Sequence, residues 1–403
     1  MSTLRREVLL LALAYLGFVS LGLPDSVLGV AWPSLRAEFG LAQGEMGLVL
    51  LGLGIGFFLS STSAGRLLRR LGVGGLLTLS TALVTAALLG YGLSPAWPLL
   101  LACAVVLGLG SGAIDAGLNA YAAGHFSPRH MNWLHAAYGL GAACGPIVMT
   151  WALTTVGWRG GYLALAAILA AMTALFLATR GQWLGDVRLD SIRAEAPPAR
   201  EVLRRPLVWL QILIFFVYSG VELTAGQWCF ALLSEGRGLS AEAAGIWAGL
   251  FWGSLFAGRV VLGFVAERIG PDGLVRLGTA GALLGALALA LAPLPLGLAG
   301  ILLLGFALAP IYPMLMSRTP ARLGPEAALH AVGFQVSAAM LGVLALPTLA
   351  GLLADRFGLE ATAWTAAGGA AVLFAMVQLL LRVGPGLAAG TFAPTGRPDA
   401  TVG

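Results

Sequence analysis

The side chains in this sequence that could do chemistry are few, and each is set among apolar neighbours. Asp25 follows Gly22-Leu-Pro24 inside the first long apolar run. Asp115 and Asn119, four residues apart, share one helical face among Gly, Ala and Leu. Asn132, His135 and Tyr138 recur at spacings of three in the following run, and Glu222, Gln227 and Trp228 lie close together in a run of the second half. A carboxylate in hydrocarbon costs about 2.5–3.5 kcal/mol on insertion scales, so one that persists there faces a cavity or a partner. Asp25, Asp115 and Glu222 are therefore expected to exchange protons, which is what coupling to a proton gradient requires. Pro24 loosens the helix beside Asp25 and leaves carbonyls open to a ligand or water. Amide, imidazole, phenol and indole groups bind hydroxyls and stack on a sugar face. Asp115, Asn119, Asn132, His135, Tyr138, Glu222, Gln227 and Trp228 are thus expected to wall one cavity, continued by Trp252, Tyr312 and Gln335. Arg259 is assigned to the end of its run, which leaves no intramembrane carboxylate clamp and favours an uncharged polyol over an organic anion.

Other chemistries find no support in the sequence. Cys103, Cys144 and Cys229 lie in apolar runs and read as packing, and the four histidines have no metal-ligand spacing. No G-x-S-x-G, H-E-x-x-H or phosphate-binding loop occurs, so neither an enzyme nor a metal or cofactor is expected.

The elements that must hold these residues are membrane spans. The chain has 403 residues, 59% of them hydrophobic and 10% charged, against about 25% charged in soluble domains. The periodic runs predict twelve spans near 7–31, 43–68, 74–94, 97–122, 131–156, 159–180, 206–233, 241–265, 273–293, 296–318, 328–353 and 360–382. The first run is too long for a signal peptide and is expected to remain as a helix. All 23 basic residues are arginine, and only Arg36, Arg159, Arg237 and Arg356 fall on one side of the pattern. That asymmetry predicts a multi-pass protein of the cytoplasmic membrane with both termini in the cytoplasm, and a lipid rather than a nucleic-acid environment. Residues 181–205, rich in Arg, Asp and Pro, are expected to link a six-helix bundle at 1–180 to another at 206–383, and 384–403 to form a disordered tail. An internal repeat at an offset of about 198 pairs Gly47 with Gly245, Gly65 with Gly263, Arg70 with Arg268 and Gly72 with Gly270. Slightly different offsets pair Asp25 with Glu222 and His135 with His330.

Two loops carry a recognisable pattern. Gly263-x-x-x-Glu267-Arg268-x-Gly270 and Gly65-x-x-x-Arg69-Arg70-x-Gly72 resemble the G-x-L-A-D-R-x-G loop of the major facilitator superfamily. The resemblance implies that these residues latch the cytoplasmic helix ends and bias the outward-facing state. In the first copy Arg69 stands where an acid is expected, so that latch would need another acid. Gly22-Leu-Pro-Asp25 with Leu28-Gly29-Val-Ala-Trp32-Pro33, and Asp115-x-x-x-Asn119 followed by Met131-Asn132-x-Leu-His135, resemble the fucose:proton symporter family. Together these imply an all-α membrane protein of the major facilitator fold: twelve transmembrane helices in two pseudo-symmetric six-helix bundles around a central cavity. The implied activity is alternating-access, proton-coupled symport of a neutral sugar or polyol by a monomer, with Asp25 as coupling carboxylate; sodium is the alternative ion. Gly141-x-x-x-Gly145-Pro146 resembles the start of a proton-driven exporter pattern. An exporter of amphipathic compounds, or an uncoupled sugar facilitator, is therefore the competing expectation.

Overall fold

In hydrocarbon every backbone N–H and C=O must find a partner within the protein, and long apolar runs without strand alternation meet that demand as helices. A computed structural model describes residues 3–126, 128–183 and 199–390, apart from a few side chains within them, and these are helical almost throughout. The helices are α1 (Thr3–Asp25), α2 (Val27–Phe39), α3 (Met46–Leu93), α4 (Trp97–His125), α5 (Pro128–Thr155), α6 (Gly157–Thr179) and α7 (Ala199–Val202). They continue as α8 (Pro206–Ala231), α9 (Ala241–Ile269), α10 (Pro271–Leu291), α11 (Leu294–Leu308), α12 (Ile311–Leu323), α13 (Pro325–Phe357) and α14 (Glu360–Gly390).

Among the described residues, eleven helical stretches are long and apolar enough to cross a membrane, and one of them, Gln43–Leu93, carries two spans. The 48 residues of α3 would extend about 72 Å if straight, more than twice the hydrocarbon thickness. The helix turns back at Gly72, whose φ of 65° and ψ of 174° need a residue without Cβ. Gly270, 198 residues on, takes nearly the same conformation (φ 78°, ψ 156°) between α9 and α10. The repeat seen in the sequence is thus a repeat of backbone turns, giving the twelve-span, two-bundle architecture. Gly40 and Gly238, also 198 apart, are a second matched pair, with φ of 64° and 70°.

Two spans are each made of two helices. The first is interrupted at Ser26, between α1 and α2, directly after Asp25. The tenth is interrupted at Ala309-Pro310, between α11 and α12. Several helices run past the expected ends because their interfacial turns stay helical: α2 reaches Phe39 and α13 reaches Phe357. The first part of the segment expected as a tail, 384–390, is helical as the end of α14; residues 391–403 lie outside the described residues, as do 184–198 of the connection.

Without a hydrophobic drive between helices in lipid, close packing depends on small residues. A Cβ on Gly56, Gly108 or Gly112 would run into the facing backbone where α3 meets α4. Gly342 of α13 meets the Phe216 carbonyl of α8 in the same way in the second half. Gly141 and Gly145 seat α5 against the Val19 and Leu23 carbonyls of α1. The end of the molecule bearing 181–205 is called the linker end below, and the opposite one the far end.

Candidate functional site

Between the halves, polar side chains from six spans converge on one seam. At the C-terminus of α1, where the last carbonyls have no helical partner, Asp25 is held from two sides. The Tyr138 hydroxyl of α5 donates to Asp25 Oδ2 (3.1 Å), and Gln227 Nε2 of α8 donates to the Asp25 carbonyl (2.7 Å) across the interface. On α4 the Asn119 amide donates to both the Asp115 carbonyl (2.9 Å) and Oδ1 (3.0 Å), confirming their common face. Asp115 is within coulombic range of Asp25. Glu222, 7% exposed, accepts from the Tyr218 hydroxyl one turn earlier and faces Arg259 at 3.9 Å. Tyr312 lies 5.8 Å ring to ring from Tyr218, within coulombic range of Asp115, Glu222 and Arg259.

Arg259 corrects the expectation that no intramembrane arginine stands in the cavity. It is residue 19 of the 29 in α9, about 15 Å of helix from the linker end, and its side chain is 12% exposed. Nη1 donates to the His135 carbonyl of α5 (3.2 Å), bridging the halves, while Nη2 faces Glu222. The clue in the sequence was distance: ten residues separate Arg259 from the end of α9. Paired with Glu222, it is a balanced charge rather than a free clamp for an anion.

Four other expected wall residues sit elsewhere or differently. Gln335 is fully buried in an amide cluster, donating to Gln211 Oε1 and Thr319 Oγ1 (3.1 Å each), away from the seam. Trp252 is fully buried with its ring against Gly226, where a Cβ would collide with it. Trp228 donates from Nε1 to the Pro347 carbonyl (2.9 Å) and is packed inside the second half. His135 keeps its ring on an exposed face, edge-on to Phe18 at 5.4 Å. Asn132, Gly263 and Glu267 lie outside the described residues as far as their side chains or surroundings go. Of the latch residues that are described, Gly65 is half-buried at the linker end and Arg69, Arg70 and Arg268 are exposed there.

Polar closure among the described residues is at the far end. Asp355 of α13 accepts the backbone N–H groups of Gln43 (2.6 Å) and Gly44 (2.8 Å), capping the helical turn that opens α3 in the other half. Gln43 Oε1 in turn accepts from Trp32 Nε1 (2.9 Å). Arg36 pairs with Glu235 across the halves at 3.3 Å. Gly29 approaches the Gln227 backbone so closely that any side chain there would intrude on it. Sequence reading did not single out Asp355, whose cue was an acid at a span end opposite an uncapped helix start.

A family model of the Major Facilitator Superfamily matches residues 14–331. The chain belongs to that superfamily. It is a membrane transporter, and its family and fold neighbours are transporters rather than enzymes. Among curated relatives, Sodium-dependent glucose transporter 1A of Mus musculus is 30% identical over 200 residues, 47% of this chain and 45% of that protein. The chain spans about half the length of the curated relatives it matches. Among solved structures, the E. coli Fucose:proton symporter, FucP, aligns with a TM-score of 0.65 at 16% identity, covering 93% of this chain and 99% of that one. The nucleoside transporter NupG aligns with a TM-score of 0.75 at 13% identity, with the same coverage. At such identities these structures speak for the fold.

Proposed function

We propose that this superfamily member is a secondary active transporter working by alternating access, and that it couples proton entry to uptake of a neutral sugar or related polyol. The observation that carries the reading is Asp25: a carboxyl at a helix break, held by Tyr138 from its own half and linked through its backbone to Gln227 of the other. A proton there changes the charge at a point where both halves meet. Two further carboxyls, Asp115 and Glu222, face the same seam and are proposed as the other proton-exchanging groups. Asn119, Tyr138, Tyr312 and Gln227 offer the neutral donors and acceptors that match hydroxyls. The names of two of the proteins that it resembles, a glucose transporter and a fucose:proton symporter, support the sugar class. The glycines that suggested an exporter are accounted for by the packing of α5 on α1, which leaves no separate observation for export.

In this reading 1–180 and 206–383 are the two moving bodies and 181–205 joins them. The far end is closed and the linker end, whose arginine excess assigns it to the cytoplasm, is where the cavity opens. A single chain contains the whole site, so the working unit is a monomer in the cytoplasmic membrane.

The test is uptake of labelled L-fucose, D-glucose and D-mannitol into proteoliposomes under an imposed proton gradient, and separately under a sodium gradient. Accumulation driven by protons, and not by sodium alone, is the expected result. Sodium-driven accumulation would replace the ion, and equilibration without accumulation would make the protein a facilitator.

A further inference from the structure

The break in the tenth span has a feature that the first lacks. Leu308 is the last residue of α11, so its carbonyl belongs to the set that a helix leaves without an internal partner. The hydroxyl that reaches it is Tyr218 Oη, at 3.2 Å, and the same hydroxyl donates to Glu222 Oε2. A phenol has one proton and cannot give it to both acceptors. While Glu222 is ionised it takes that proton, and the Leu308 carbonyl loses its charge-free but directional donor. Once Glu222 is protonated its own O–H can donate to Tyr218 Oη, and the Tyr218 proton is free to turn to Leu308. The change needs one added proton, no bond to carbon, and a rotation about the phenolic C–O bond.

We infer that Tyr218 is a positioning residue that converts proton occupancy of Glu222 into a hydrogen bond across the helix break at 309–310, making that break a proton-controlled hinge. This rests on the reading of Glu222 as a proton-exchanging group. Every charged or titratable side chain that meets this carboxyl acts on the same switch: Arg259 of α9, Tyr138 of α5 and Tyr312 of α12, with Asp25 and Asp115 one layer further across the seam. Arg259 faces Glu222 Oε1 at 3.9 Å and also meets the Tyr218 hydroxyl, while its Nη1 keeps the His135 carbonyl. Three surroundings make the hinge responsive to so small a change. Pro310 and Pro313 remove two N–H groups from the segment, so the carbonyls of Phe306 and Ala309 lack their usual helical donors. Gly258 of α9 lies against the Phe306 carbonyl and Ala309, so movement of the break is felt directly beside Arg259. Tyr312, just past the break, contacts both Tyr218 and Phe215.

The test reads the hinge itself and needs no substrate. Spin labels are placed at Leu296→Cys on α11 and Ser317→Cys on α12, both exposed, in full-length protein with Cys103, Cys144 and Cys229 replaced by Ser. Distances across the break are then measured in lipid nanodiscs from pH 5 to pH 9. The wild-type background is expected to show a distribution that narrows as pH falls. Glu222→Gln, whose amide donates as the protonated acid does, should be narrow at every pH. Tyr218→Phe keeps the ring but has no proton to hand on, and should be broad at every pH. A pH response that survives in Tyr218→Phe overturns the switch while leaving proton exchange at Glu222 standing. No response in the parent, together with identity between it and Glu222→Gln, overturns both. Where Tyr218→Phe fails to fold, Leu308 can be probed instead: 13C-carbonyl leucine labelling should give one pH-dependent amide I shift that Glu222→Gln abolishes, and its absence overturns the switch.

Discussion

The two interrupted spans hold their breaks in different ways. At the first, the Asp25 carbonyl accepts from Gln227, a neutral amide of the opposite half whose donor is not shared with a titrating group. At the second, the Leu308 carbonyl depends on a hydroxyl that Glu222 also takes, within one half. The first break is therefore a fixed tie between the halves and the second a contact whose strength depends on a proton. Pseudo-symmetry supplies the paired positions, and the chemistry at them has diverged. Similar backbone geometry does not by itself distribute roles equally between the two bundles.

That contrast can be broken or sharpened by mutation at the far end, where a cysteine at Leu28 (7% exposed, on α2 beside α8) should react with an impermeant thiol reagent only when the far end opens. The largest effect is expected from Gly29→Leu, because its side chain must enter the Gln227 backbone. Overpacking of this kind costs about 1–3 kcal/mol, so labelling should rise roughly ten- to a hundredfold, with transport lost. Asp355→Ala comes next: a hydrogen bond to a charged group is worth about 1.5–3 kcal/mol, but Asp355 is exposed and water replaces part of both bonds, so a net loss of about 1.5 kcal/mol should raise labelling roughly tenfold. Gln227→Ala removes one neutral hydrogen bond, about 1 kcal/mol, and should raise labelling about fivefold with the same ratio at pH 6 and pH 8. A ratio that changes with pH would erase the distinction between a fixed tie and a proton-dependent one.

The smallest effect concerns Glu38, at the end of α2, away from the hydrocarbon. Arg159, donating to it at 2.6 Å, holds its carboxylate below the usual range, with Trp158 Nε1 as a second donor. A carboxyl lowered in the folded state contributes stability that is present at neutral pH and lost as pH falls through the folded value. The group is 42% exposed, so the contribution is at most about 1 kcal/mol. Glu38→Gln should lower the unfolding temperature slightly at pH 7, with the difference shrinking as pH falls below the ordinary carboxylate range. An equal difference at every pH would assign the effect to packing.

Much of this architecture was readable in the sequence because it follows from composition: apolar runs of span length, Gly72 and Gly270 at one offset, Pro24 beside Asp25. The Asp115–Asn119 face followed from helical spacing, and Tyr138 was expected on the cavity wall, whereas its hydrogen bond to Asp25 came only with the fold. What could not be read was the direction in which a helix faces. Gln335, Trp228 and Trp252 have the chemistry of a binding wall and yet point into their own bundle, where a buried amide or indole can be satisfied just as well. Arg259 was misjudged because hydropathy places an arginine at a span boundary, whereas a long side chain with Glu222 and a carbonyl to meet can sit deeper. Tyr218 was within reach, one turn before Glu222, but its importance depends on Leu308, ninety residues away in sequence and joined to it only by folding.

The most direct test of the proposed activity is internal pH, followed with a trapped dye, in proteoliposomes given L-fucose or D-glucose without an imposed gradient. Acidification of the lumen on adding one of these sugars, absent in Asp25→Asn while sugar counterflow persists in that variant, is the result expected. Acidification of the same size in Asp25→Asn would contradict the assignment of Asp25 as the coupling carboxyl. Counterflow of the sugar with no movement of protons in the parent protein would contradict proton coupling itself.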